Sequence, residues 1–168
     1  SLSGSSAKTS GDGASVSGST VTISEAGTYV VSGTSENVQI VVKAGDSDKV
    51  QIVLNGVTMS GTDAAILVEN AGKTSLTLAD GSQNTISDSS NHSNTDADAA
   101  IYSNSDLTLN GSGSLTVDGK YETAIKSEQI LRVTGGTYTI KAAKNGLSAA
   151  SAINIKDATI DITATEDA

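Results

Sequence analysis

Asp96 and Asp98 alternate within "DSSNHSNTDADAAIYSNSD" (88–106), and Asn104 and Asp106 follow one strand later. Calcium takes six to eight oxygen ligands, commonly Asp carboxylates mixed with Asn side chains and backbone carbonyls. A loop with alternate carboxylates facing the next corner of the chain could supply such ligands. On residue types alone, the run reads first as a solvated polar loop, the usual role of Asp, Asn and Ser clusters. It is not an EF-hand, because the glycine and terminal glutamate are missing from the required spacing.

A second set is basic: Lys120, Lys126, Arg132, Lys141 and Lys144. If neighbouring repeats align, some share one outer face, where cations pair with carboxylates such as those of uronic acids. Tyr102 and Tyr121 could stack on sugar rings beside them. The competing reading is ordinary solubilising charge. His92, the only histidine, lies in the polar insertion and is expected to be a solvated loop residue. One histidine in such a run supports no Ser-His-Asp triad. A lyase would need calcium and a positioned Lys or Arg base. Nothing in the spacing selects Lys126 or Arg132 for that role, so no catalytic residue is assigned. Threonines at 20, 22, 77, 108, 116, 137 and 139 could suggest an ice-binding face, but as rows they read as broken. Thr as an outward strand former explains them more simply.

These candidates need a scaffold. The 168 residues suffice for one domain with a core. There is no Pro, Cys, Phe or Trp, and Tyr occurs four times, so the core must be aliphatic. A narrow, layered core can be filled that way. Net charge is −9, and the excess acid lies in residues 1–119, with 13 acids and 4 bases, against 6 of each in 120–168. No basic face exists to neutralise phosphates, which argues against nucleic acid. No apolar run reaches membrane-spanning length, so no membrane insertion is expected. Residues 1–18 read as a flexible Ser/Gly-rich leader, and 19–168 as a single domain.

Five segments repeat: "VQIVLNGVTM" (50–59), "SLTLADGSQNTI" (75–86), "DLTLNGSGSLTV" (106–117), "ILRVTGGTYTI" (130–140) and "AINIKDATIDI" (152–162). Each has two alternating apolar runs around a turn such as Asn55-Gly56 or Asn110-Gly111. The turns are spaced by 25, 30, 25 and 21 residues. A third strand precedes four of them, with a small residue before an aliphatic one: Ala65-Ile66, Ala100-Ile101, Ala124-Ile125 and Gly146-Leu147. Three strands recurring as a set predict one coil of a repeat architecture. The fold class is all-β: a right-handed parallel β-helix of about five coils with three strands per coil, preferred over a hairpin-built sandwich. Three inward columns follow: Ile66, Ile101, Ile125 and Leu147; Leu78, Leu109, Val133 and Ile155; Ile86, Val117, Ile140 and Ile162. "ATIDITATEDA" ends as though another coil should follow, so either the domain is truncated at its C-terminus or something covers its last strand edge.

The motifs "GTYVVSGT", "VQIVLNGVTM", "LADGSQNTISD", "AAIYSNSDLTLNGSGSLTV" and "VTGGTYTIKAAKNGL" resemble the carbohydrate-binding β-helix domains of cell-surface proteins in anaerobic, plant-polysaccharide-degrading bacteria. The resemblance spans roughly residues 20–165. It implies a calcium-binding, polysaccharide-lyase-shaped module that binds cellulose or polygalacturonate without cleaving it. An extracellular location and a plant cell-wall polysaccharide partner follow from it. It turns the 88–106 run toward calcium, with Asp96, Asp98, Asn104, Asp106, Glu128 and Asn145 as ligands. Glu128-Gln129 stand where the family pattern carries two Asp, and Lys144-Asn145 where it carries Asn-Asp. The carbohydrate contacts expected are Tyr102, Tyr121, Lys126, Arg132 and Lys144.

Overall fold

The computed structural model describes residues 1–168. Three short strands come first: β1 (Leu2–Gly4), β2 (Ser6–Ala7) and β3 (Ala14–Ser17). About six stacked turns follow. The first holds β4 (Thr20–Ile23) and β5 (Gly27–Glu36), and the second β6 (Gln39–Lys43) and β7 (Lys49–Ser60). The third holds β8 (Ile66–Asn70), β9 (Lys73–Leu78) and β10 (Gln83–Ser87). The fourth holds β11 (Ala99–Ser103), β12 (Leu107–Gly111) and β13 (Ser114–Gly119). The fifth holds β14 (Thr123–Ser127), β15 (Ile130–Thr134) and β16 (Thr137–Ala142). The sixth holds β17 (Leu147–Ala149), β18 (Ala152–Lys156) and β19 (Thr159–Ala164).

From β4 to β19 the strands of successive turns pair in parallel with their equivalents, so the chain winds as a parallel β-solenoid. Asn110-Gly111 lies at a corner, not in a hairpin: β12 pairs β9 and β15, whereas β13 pairs β10 and β16. Gly111 takes φ +103°, and a Cβ there would lie 2.1 Å from the Leu78 carbonyl oxygen. No other residue fits so close an approach of two turns. In the first two turns the corner is smoothed out. β5 and β7 run through it unbroken, joining two faces into one twelve-stranded sheet, and a seven-stranded sheet forms the third face.

Alternation does the rest. β-branched and aliphatic residues at every second position point inward. Thirty-two buried residues, all but Tyr138 non-aromatic, form one continuous cluster along the axis. The first expected column is in register: Ile66 opposes Ile101, Ile101 opposes Ile125, and Ile125 opposes Leu147. The third is too, and Met59 extends it past Ile86. The second column needs one correction of register, and its last member, Ile155, opposes Val133 but is exposed. Leu76, not Leu78, opposes Leu109, because Gly111 rather than Leu109 sits opposite Leu78. Both leucines are buried, as a slip of two residues keeps the same face inward.

Residues 1–18, expected to be a flexible leader, carry β1–β3. Leu2 is buried, β1 runs parallel to β5, and β3 pairs antiparallel with β4 across the first turn. At the other end Ile153 and Ile155 of β18 are exposed. No helix is long and apolar enough to cross a membrane.

Candidate functional site

The polar insertion between β10 and β11 folds back over the outside of the seven-stranded sheet. On that outer face Val41, Leu67, Tyr102, Lys126 and Ser148 form one row across β6, β8, β11, β14 and β17. Val41, Leu67 and Tyr102 join Ala64, Ala97 and Ala99 in a second, smaller apolar cluster outside the main core. Ala97, near the end of the insertion, is part of that roof.

His92 fastens the insertion, and the expectation of a solvated loop histidine does not hold. The residue is 8% exposed. One ring nitrogen, Nδ1, lies 2.9 Å from the Ala97 carbonyl, and Nε2 lies 3.0 Å from Asp88 Oδ2. The ring stacks on Tyr121 with centroids 4.3 Å apart. Asp88 Oδ1 also accepts the Lys120 backbone N–H at 2.6 Å. Burial pushes the Asp88 carboxyl up, against the bonds it accepts from Lys120, His92 and Tyr121. Asp63 clamps the tip by accepting the Ser93 and Asn94 N–H groups and the Ser93 hydroxyl. Burial alone would raise the Asp63 carboxyl. The bonds from Asn94 and Ser93 outweigh it and hold it below the usual range.

The six residues expected as calcium ligands do not converge. Lys126 Nζ sits 3.0 Å from both Asp98 carboxylate oxygens and 3.1 Å from Glu128 Oε1. Glu128 also accepts the Tyr102 hydroxyl at 3.0 Å. Burial, followed by this bond to a carboxylate, pushes the Tyr102 hydroxyl up to about 12. Asp106 pairs with Arg132 at 2.8 Å and accepts the Ile130 N–H. Asn104 donates to the Glu69 carbonyl, and Asn145 accepts the Asp167 N–H. Asp96 is exposed on the insertion. No three His, Cys, Asp or Glu side chains gather closely enough to hold a metal. A calcium cage needs six to eight oxygens. As placed, these residues do not fit one, because the chain's own cations already engage Asp98, Glu128 and Asp106.

The same pairings occupy the basic residues expected to meet a sugar acid. Lys126 and Arg132 are engaged as above, and Lys144 pairs with Glu122 at 2.7 Å. Tyr102 is 7% exposed and Tyr121 gives a ring face to His92. The structure thus brings together Tyr102, Lys126, Asp98 and Glu128, and separately Asp106 and Arg132. Lys144 and Asn145 lie at another corner.

Outward side chains on the remaining faces were undervalued by the sequence. Thr34, Thr58, Thr85, Thr116 and Thr139 stand in direct register on β5, β7, β10, β13 and β16, and Asp161 of β19 continues the row. All six are exposed. The row is unbroken. It read as broken because Thr22, Thr77 and Thr108, taken with it, belong to the other two faces. A signal was present from Thr58 on: each member immediately precedes an inward apolar residue, as in Thr85-Ile86, Thr116-Val117 and Thr139-Ile140, whereas Thr34 precedes the buried Ser35.

A solenoid of this kind, polar outside and aliphatic within, has known counterparts. The polysaccharide lyase-like protein from C. thermocellum, solved as a gadolinium derivative, shares the fold with a TM-score of 0.77 at 24% identity, over 95% of this chain and 87% of that one. Residues 17–168 match the family described as carbohydrate-binding domain-containing protein. A protein of the same description from Acetivibrio thermocellus is 38% identical over 137 residues, which is 78% of this chain and 48% of that protein. The chain belongs to this carbohydrate-binding domain family and spans about half the length of that relative.

Proposed function

We propose that the chain is a non-catalytic module that binds an extended plant cell-wall polysaccharide, polygalacturonate or cellulose, on a secreted or surface-attached protein. One observation supports this beyond family membership: successive turns present equivalent outward residues in direct register, about 4.8 Å apart. A polymer lying along the axis meets the same contact again at each turn, and weak contacts add through multivalency. The arrangement of His92 supports a non-catalytic role, since both of its nitrogens are engaged within the insertion.

Electrophoresis through gels containing each polysaccharide tests the reading. Retardation by at least one is expected, with no unsaturated uronide absorbance when the protein is incubated with polygalacturonate and calcium. Absence of retardation in every gel, or growth of that absorbance, overturns it.

A further inference from the structure

We infer that the threonine ladder, Thr34, Thr58, Thr85, Thr116 and Thr139, is the carbohydrate contact surface, and that it takes an uncharged glycan lying along the solenoid axis. This rests on the carbohydrate-binding reading above.

The other outward faces are less suited to a polymer. The insertion roofs part of the seven-stranded sheet. On the face of β9, β12 and β15, polar groups pair among themselves: Thr28 donates to Gln51, and Gln51 to Thr77. The ladder has neither obstacle. Its five threonines are exposed on five consecutive turns, and Ile86, Val117 and Ile140 beside them are fully inside the core. The backbone beneath each threonine is therefore fixed by packing, and the β-branched side chain is stiff at χ1. Little ordering remains to be done when a ligand arrives.

The chemistry fits a neutral sugar. Each threonine offers a hydroxyl that both donates and accepts, beside a methyl group. A sugar presents hydroxyls and C–H groups in the same mixture. Five rungs reach over roughly 19 Å at the usual strand spacing, long enough for several sugar units. No charge interrupts the row before Asp161. The neighbouring row on one side contains Glu36, Asp118 and Lys141, so the border is more acidic than basic. In a chain of net charge −9 such a surface repels a polyanion.

Replacing Thr58, Thr85 and Thr116 together with Val removes three hydroxyls and keeps the β-branched shape. Thr77→Val with Thr134→Val, on the adjoining face, is the control. Affinity electrophoresis in hydroxyethylcellulose and in polygalacturonate is the readout. The wild type and the control are expected to be retarded by hydroxyethylcellulose, little changed between ~0.05 and ~0.5 M salt. The ladder variant should lose at least ~10-fold in affinity, since several contacts go at once. Amide shifts of the wild type with soluble cello-oligosaccharides should centre on the ladder, which checks the surface without any variant. Undiminished binding by the ladder variant, shifts centred elsewhere, or retention only by polygalacturonate overturns the ladder while leaving the carbohydrate reading intact. Retention by no glycan overturns both, as does ice shaping without glycan retention, which would reassign the ladder to water.

Discussion

His92 Nε2 lies 3.0 Å from Asp88 Oδ2, and neither side chain keeps any exposure to solvent. This pair closes the base of the insertion, with Tyr121 stacked on the imidazole. His92→Ala removes the stack and the Ala97 bond, and leaves the buried Asp88 carboxylate short of a partner. The expected cost is about 1–3 kcal/mol, the penalty of a buried acceptor left unsatisfied. A lower urea midpoint at unchanged slope measures it. The insertion should also become sensitive to protease between residues 89 and 97 while the strands remain protected.

Tyr138 is the one aromatic side chain fully inside the main core, and its hydroxyl has no hydrogen-bond partner there. Burial pushes that hydroxyl up to about 12. Tyr138→Phe removes an uncompensated polar group and keeps the ring packed between Leu115 and Ile160. Stability should rise by about 1 kcal/mol. That is a gain of roughly 2–4 °C in Tm for a chain of this size, read by calorimetry.

The solenoid was legible because its physics is local and repeats. Ile101 tells where Ile125 lies because each turn can bury its apolar face only against the next. The slip at Leu78 shows the limit of that logic. Strand alternation reports which face a residue is on, but not which of two inward residues meets its partner. The leader was misjudged for a related reason: Ser and Gly composition reads as a linker, yet Leu2 is held by β5, beyond any local signal. At the site, residue types were visible and pairings were not. Lys126 and Asp98 were assigned to separate roles, sugar binding and metal binding, yet they bond each other across 28 residues. His92 was misplaced because its burial depends on Tyr121, which is distant in sequence.

Acid should weaken the fold through a few identifiable carboxylates. The Arg132 guanidinium holds Asp106 below the usual range, helped by the Ile130 N–H. Asp63 is held low by the bonds from Asn94 and Ser93, against the opposing effect of burial. A carboxyl whose folded pKa is depressed binds protons more weakly in the native than in the unfolded state. Its stabilising contribution is therefore present above the unfolded value of about 3.9 and is lost as pH falls through the folded one. Unfolding midpoints measured across that acid window should decline for the wild type. Arg132→Met removes the Asp106 share, so its decline should be shallower, while at neutral pH it costs only about 0.2–1 kcal/mol for a partly exposed pair. Equal slopes for the two proteins would sever Asp106 from acid sensitivity.

The Lys126 ammonium stands where a bound cation would have to stand, between the Asp98 and Glu128 carboxylates. Partial burial would lower its pKa, but the two carboxylates more than offset this and hold the ammonium above its usual value. It also lies 5.7 Å from the centre of the Tyr102 ring, which favours a cation on that face. A tethered cation has no dissociation to another molecule, so it stays paired with both acids at any calcium concentration. Thermal melts of the wild type with calcium and with chelator are expected to coincide. Lys126→Met leaves Asp98 and Glu128 facing one another without a counter-charge, lowering Tm. Added calcium, able to bind the folded form only, should then raise the variant's Tm with concentration by mass action. A wild-type melt raised by calcium would show that the ion has oxygen ligands elsewhere on this chain. A Lys126→Met melt indifferent to calcium would show that the two carboxylates, even unpaired, do not form a divalent site.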